Sequence, residues 1–264
     1  MKKYYLYIVM LTSLLALSGC SSLDINTEPL PDPEDNWPVE QLYSEAKKAM
    51  DQDDYETALK YYRDLEARFP FGDFAQQALI DSAYAHYKSD DPENAIATID
   101  RFIRVYPQNP NMDYAIYLRG LINFTRDVGI VEKYIPRDES QRDPGAAKFA
   151  LQDFNNLISR YPKSQYSEDA SQRIVYLRNR LARYEVNVAH FYMRRASYIA
   201  ALNRGKYVIE NYQRTPAMPD ALLIVAKAYK VLELNDLAED TLRVLETNYP
   251  NYADITDIRE TVVE

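Results

Sequence analysis

The segment Ala83-Tyr84-Ala85-His86-Tyr87-Lys88-Ser89-Asp90-Asp91-Pro92-Glu93-Asn94-Ala95, running on to Ile99, Phe102 and Tyr106-Pro107, contains a pattern that returns along the whole chain. A small residue, Ala83, is followed twelve positions later by Ala95, and twelve after that by Pro107 behind an aromatic side chain. The first small residue recurs at Ala46, Gly120, Ala189 and Ala226, and the second at Ala58, Ala150, Ala201 and Ala238. The aromatic-Pro step recurs as Phe69-Pro70, Tyr161-Pro162 and Tyr249-Pro250, with Tyr212-Gln213 the one departure. Four and seven positions after the second small residue stand larger side chains: Tyr62 and Leu65, Ile99 and Phe102, Phe154 and Leu157, Leu242 and Leu245. In the fourth unit Gly205 and Val208 hold those places.

Two antiparallel helices approach closely only where small residues occupy their crossing, while larger residues fill the groove toward the next pair. The Pro ends the second helix because it has no N–H to donate. Asp53-Asp54 and Asp90-Asp91-Pro92 fall between the two helices of their units, where an acid caps the incoming helix and Pro92 suits its first turn. A paired-carboxylate active site is the functional alternative for these acids. The pattern resembles the tetratricopeptide repeat, and five units cover roughly residues 39–252. The expected fold is therefore all-α, a tetratricopeptide-repeat solenoid of five helix-turn-helix repeats in two lobes. Residues 39–163 carry repeats 1–3, and residues 164–252 a long linking helix and repeats 4–5. The long helix is expected because no Pro or Gly interrupts Ser164 to Asn203, where the unit is 14 residues longer than the others. An 18-residue insertion within Phe124 to Asp143 is expected as a surface loop.

Ahead of the repeats, Lys2 and Lys3 precede an apolar run from Tyr4 to Leu17, which ends in Leu17-Ser18-Gly19-Cys20. Residues 1–19 read as a signal peptide, and the last four resemble the bacterial lipobox, which would leave an acylated Cys20 as the new N-terminus. An ordinary secretory signal with an incidental Cys is the alternative. Ser21 and Ser22, with no Asp directly after the Cys, favour the outer membrane and its periplasmic leaflet in a Gram-negative cell. Residues 20–38, with Pro29, Pro31, Pro33 and Pro38, are expected to be an extended tether, and 253–264 an acidic extension.

Composition narrows the chemistry. The net charge of −9 becomes −11 once the two signal-peptide lysines are gone, and a nucleic-acid polyanion would be repelled on average. One Cys and 2 His cannot build a thiolate or imidazole metal cluster, and 6 Gly supply no phosphate cradle. No nucleophile elbow or Walker motif occurs. His86 and His190 read as helix-packing imidazoles, so no catalytic residue, metal or cofactor is expected.

Surface chemistry points to protein partners. In such repeats the residues three before, one after and four after the first small residue usually face the concave groove. In repeats 1–3 these are Tyr43, Lys47, Met50, Ile80, Tyr84, Tyr87, Tyr117, Leu121 and Phe124. An aromatic trough of this kind suits an extended peptide, the rings burying area and the hydroxyls bonding backbone; the alternative is ordinary core packing between helices. In the second lobe Arg173, Arg178, Arg180, Arg183, Arg194, Arg195 and Arg204 crowd together, a dock for an acidic partner surface. The alternative there is a solvated helix face supported at i,i+4 by Glu168, Asp169 and Glu185.

More specific stretches carry a family resemblance. They are Phe69-Pro70-Phe71-Gly72, Ile99-Asp100-Arg101-Phe102-Ile103-Arg104, Tyr117-Leu118-Arg119-Gly120-Leu121, Arg142-Asp143-Pro144, Tyr161-Pro162-Lys163-Ser164-Gln165-Tyr166, Arg180-Leu181-Ala182-Arg183-Tyr184-Glu185 and Asn203-Arg204. With lipobox and repeats, they make the chain similar to the BamD/ComL family of lipoproteins of the outer-membrane β-barrel assembly (BAM) complex. The resemblance implies a non-enzymatic scaffold whose repeats 4–5 bind the POTRA region of BamA and whose repeats 1–3 help recognise C-terminal signals of unfolded barrel proteins. It also implies BamC- and BamE-type partner lipoproteins. Arg204, in the family's Asn-Arg motif, is its best partner-contact residue, with Arg194 and Arg195 beside it. Phe69, Phe71 and Gly72 would border the substrate groove, although Phe69 stands where the family more usually has Tyr. A periplasmic repeat adaptor for peptidoglycan-associated proteins is the other class of function, and a lipid-anchored hydrolase a third.

Overall fold

The structure is a computed structural model and describes residues 33–126 and 143–252. The expected signal peptide, Cys20 and most of the expected tether, the greater part of the insertion after Phe124, and the extension 253–264 lie outside the described residues. Residues 1–38 form a unit separate from residues 39–264, and its described part is a short 3-10 turn, Pro33–Asn36.

In the second unit the described residues form ten α-helices: α1 (Val39–Asp51), α2 (Tyr55–Arg68), α3 (Asp73–Lys88), α4 (Pro92–Val105), α5 (Met112–Thr125), α6 (Gly145–Arg160), α7 (Ser167–Arg194), α8 (Tyr198–Asn211), α9 (Met218–Val231) and α10 (Asn235–Asn248). Each odd-numbered helix packs antiparallel on the even one that follows, and each even one on the next pair. These are the five helix-turn-helix units of a tetratricopeptide-repeat fold. At the crossings Ala46, Ala58, Ala83, Ala95, Ala150, Ala189, Ala201 and Ala226 have no exposed surface. A Cβ on Gly120 would lie 2.6 Å from the Phe154 ring, and one on Gly205 would lie 2.7 Å from Val225 and 3.1 Å from the Ala221 carbonyl. Gly205 breaks the large-residue pattern because α8 meets α9 there with no room for a side chain.

The turns follow equally local rules. Asp54 and Asp91 cap α2 and α4 by accepting from the backbone N–H of Thr57 and Asn94. Just before the second helix of repeats 1, 2, 4 and 5, Asp53, Asp90, Ala196 and Glu233 adopt left-handed backbone with φ between 55° and 62°. The next N–H in each case reaches back five residues, as in Asp54 to Ala49 and Ser197 to Tyr192, so each first helix ends in a Schellman-type closure. Phe69, Tyr106, Tyr161, Tyr212 and Tyr249 all close the second helix with the same bond to a carbonyl four residues back. Tyr212 does so with Gln213, not Pro, behind it, so the aromatic turn survives the one departure from the pattern.

The extra residues of the fourth unit extend α7 to 28 residues, about 42 Å of helix at 1.5 Å per residue. One connected set of buried side chains runs from Leu79 in α3 to Ile224 in α9, with Leu177, Leu181 and Val186 of α7 inside it. The two halves of the repeat array thus share a core through the long helix.

The last pair differs from the rest. Ile96 and Asp100 on α4 face α5, where Asp100 binds Arg119. The residue one after the second small residue is Leu59, Ile96, Leu151 and Leu202 in repeats 1–4 but exposed Glu239 in α10, followed by Arg243 and Glu246.

Candidate functional site

Helices α1, α3, α5 and α7 bring the aromatic row together. Its first junction is organised by Asp81, a carboxylate only 8% exposed among the buried apolar residues of α3. Tyr43 of α1 donates to its Oδ2 at 2.9 Å, Tyr62 approaches at 3.4 Å, Gln77 donates to Oδ1 at 3.0 Å, and Lys47 Nζ lies 3.8 Å away. Burial, reinforced by the Asp81 charge, raises the Tyr43 and Tyr62 hydroxyls well above the ordinary phenol range. The Tyr43 ring sits 5.3 Å from Phe74 on α3.

The second junction is α5 against α7. Tyr117 stacks on Tyr166 at 4.7 Å and donates to Asp169 Oδ2 at 2.7 Å, while Arg173 binds the same oxygen at 2.5 Å. Burial pushes the Tyr117 hydroxyl up to about 12, helped by the hydrogen bond to Asp169. Burial alone would raise Asp169, but Arg173 and Tyr117 together hold it below the usual carboxylate range. Phe124 is enclosed by Phe154, Tyr176 at 5.5 Å and the Arg173 guanidinium at 4.8 Å.

Between these junctions Tyr84 and Tyr87 lie half-buried on α3 with ring centroids 6.4 Å apart, and neither hydroxyl has a hydrogen-bond partner among the described residues. Leu121 on α5 is partly open. Met50 and Ile80, which the spacing rule also selects, are buried at 8% and 1% exposure and belong to the core. The spacing rule marks one face of each helix, and its inner edge turns into the helix–helix seam. On the turn before α3, Phe71 is 87% exposed, Phe69 lies half-buried under Arg68, and Gly72 holds φ +98° with open space around it. Glycine is needed there for the backbone, not for room.

The arginines of α7 and α8 are mostly engaged within the chain. Arg204 Nη1 lies 3.0 Å from Oε2 of Glu185, whose side chain is 1% exposed, and Lys148 of α6 stands 3.8 Å from the other oxygen. Arg183 binds Asp220 of α9 at 2.5 Å, and Arg195 lies over the Phe191 ring. Arg173 pairs with Asp169 at the expected i,i+4 spacing, but Glu185 reaches across helices instead. Arg194 and Arg195 are exposed at the end of α7. His86 packs with Nδ1 3.1 Å from Asp91, as part of the α4 cap.

Sequence spacing did not mark Asp81, Glu185 or Tyr166 as members of the site. The first two are acids inside apolar helix faces, a signal visible in the sequence but ambiguous there, since only the partner helix decides whether such an acid is buried. Among the described residues no group of three acidic, His or Cys side chains could hold a metal ion, and no helix is long and apolar enough to cross a membrane.

Comparison with known proteins places these features in context. The profile of a family described as "YfiO: Outer membrane lipoprotein" matches residues 35–245. The outer membrane protein assembly factor BamD of Neisseria meningitidis serogroup B is 46% identical over 236 residues, covering 89% of this chain and 88% of that protein. The protein of the same name from Vibrio cholerae is 40% identical over 241 residues, covering 90% of this chain and 97% of that one. Among solved structures, a tetratricopeptide repeat protein from Parabacteroides merdae aligns with a TM-score of 0.41 at 14% identity, covering 84% of this chain and 70% of that one. A profile match over most of the repeat array, with near-full-length relatives above 30% identity in two genera, makes this chain a member of the YfiO/BamD family of outer-membrane lipoproteins.

Proposed function

We propose that this chain is an outer-membrane protein assembly factor that works by binding and not by catalysis. The observation that carries the reading is its likeness, over nearly its whole length, to proteins named for that role. On this reading Cys20 carries the lipid that holds the chain to the periplasmic face of the outer membrane. Several acyl chains, each contributing about 0.8 kcal/mol per buried CH₂, would make that hold effectively permanent. The acylated tether leaves the repeats free to meet a BamA POTRA domain and BamC- or BamE-type lipoproteins.

The row Tyr43, Tyr84, Tyr87, Tyr117, Leu121 and Phe124, bordered by Phe69, Phe71 and Gly72, would take the C-terminal signal of an unfolded barrel protein. The work divides among these residues. Tyr43 and Tyr117 are fixed by Asp81 and Asp169 and serve as rigid walls. Tyr84 and Tyr87 keep hydroxyls available to a peptide backbone, and Phe71 offers an uncovered ring. At the other end, Arg194 and Arg195 remain open to an acidic partner surface, while Arg204 holds its own scaffold together. Retention of a POTRA-bearing barrel on the full chain tests the reading, together with binding of a labelled barrel C-terminal peptide. Tyr84→Phe with Tyr87→Phe should weaken the peptide about tenfold and leave the POTRA complex intact. Failure of the wild-type chain to retain any barrel protein would refute it.

A further inference from the structure

The aromatic row does not end at Phe124. It passes to Tyr176 on α7, 43% exposed, and the residue before it, Val175, is 60% exposed. Val175 forms one wall of a cleft of about 430 Å³ between α7 and the turn from α8 to α9, lined also by Arg178, Asn179, Gln213, Arg214 and Thr215. The lining is cationic and donor-rich. Arg178 directs Nη2 to the Gln213 carbonyl at 3.3 Å and lies over the Tyr212 ring, contacts that fix the guanidinium without neutralising it. Arg214 is exposed and has no acidic partner among the described residues. The Thr215 hydroxyl is bonded to the Tyr212 carbonyl and braces the turn.

This cleft differs from the arginine sites whose charge is met within the chain. Arg101, Arg119, Arg126, Arg173, Arg183 and Arg204 each hold a carboxylate of this chain. In the cleft two arginines share the lining with no carboxylate, on a chain with 40 acidic residues to 31 basic. Arg214 also holds a left-handed backbone at φ 63°, a conformation that costs a non-glycine residue free energy and persists only where surrounding structure enforces it. A planar carboxylate matches such paired donors, and an open apolar wall beside it suits the side chain next to the charge.

We infer that this cleft is a carboxylate-binding subsite for a polypeptide whose aromatic side chains lie along the row from Tyr84 to Tyr176. The inference rests on reading that row as a polypeptide surface. The carboxylate has two possible sources, a chain's own C-terminus or an Asp or Glu side chain, and the same guanidiniums would serve either.

Three labelled peptides of about ten residues, aromatic-rich and otherwise uncharged, test it against the full chain in detergent. One ends in a free carboxylate, one in an amide, and one in an amide with a single internal Asp. The free acid is expected to bind about tenfold more tightly than the amide. Arg178→Gln with Arg214→Gln should abolish that advantage and leave amide binding unchanged. Arg214→Gln alone, at an exposed site that packing does not need, should remove part of it. A gain by the internal-Asp peptide equal to the free acid's assigns the site to side-chain carboxylates, whereas a gain confined to the free acid assigns it to chain termini. Equal affinity of all three peptides for the wild-type chain, or an advantage that survives both substitutions, overturns the subsite while leaving the aromatic row in place. Binding of none of them overturns the reading of the row and the subsite with it.

Discussion

The Tyr117 hydroxyl lies 2.7 Å from Oδ2 of Asp169, tying α5 to the first turn of α7 across 52 residues of chain. Arg173 holds the same carboxylate from one turn further along, and its guanidinium also covers Phe124. Two side chains of the aromatic row, Tyr117 directly and Phe124 through Arg173, are thus set by a single acid. A hydroxyl held by a charged acceptor has lost much of its rotational freedom before any ligand arrives, which lowers the cost of ordering it on binding.

Acid should loosen this junction. Asp169 is held below the ordinary carboxylate range in the folded chain, so its contribution is present above about pH 4 and fades as pH falls toward its depressed folded value. Tyr117 works at the other end of the scale: its contribution is complete below about pH 10 and is lost as pH rises toward 12. Thermal unfolding followed from pH 3 to pH 7 should show a shallower slope for Asp169→Asn than for the wild-type chain. An unchanged slope would mean that the carboxylate is held no more tightly folded than unfolded.

The fold was legible because its determinants are local. Ala83, Ala95 and Pro107 each act within a turn or two of their own position, and helical spacing reports that directly. The site was less legible because its decisive contacts are between helices. Tyr43 reads as a free phenol until Asp81, 38 residues away, is brought against it. Arg204 reads as an exposed cation until the fold places Glu185 under it. Met50 and Ile80 satisfy the groove spacing yet turn inward, since periodicity marks a face but not where solvent begins.

Gly120 offers a sharp test of the packing rule. Its added Cβ would fall 2.6 Å from a carbon of the Phe154 ring, which is itself fully buried. Gly120→Ala should cost about 1–3 kcal/mol by overpacking, measured by urea denaturation. Combining it with Phe154→Leu should recover part of the loss, and a strictly additive pair would argue against the contact.

Arg204 is a less innocent target than its exposure suggests. Arg204→Glu would set a second carboxylate against buried Glu185, leaving Lys148 at 3.8 Å as compensation. A loss of about 2 kcal/mol is expected, discounted from the 3–5 of a fully buried pair because Arg204 is partly solvated. Arg204→Gln with Glu185→Gln should restore most of it. Any partner-binding measurement at Arg204 therefore needs the double variant as its control; if the two substitutions prove independent in denaturation, the ion pair does not hold α8 on α7.

The charged ridge of α10 bears on how the molecule behaves in a crowd. Every earlier second helix presents a Leu or Ile where Glu239 stands, and a neighbouring pair could be added there indefinitely by the same geometry. With Glu239, Arg243 and Glu246 in that place, a second molecule trying to dock its first helix there would have to desolvate those charges. Concatenation into fibres is discouraged at that edge.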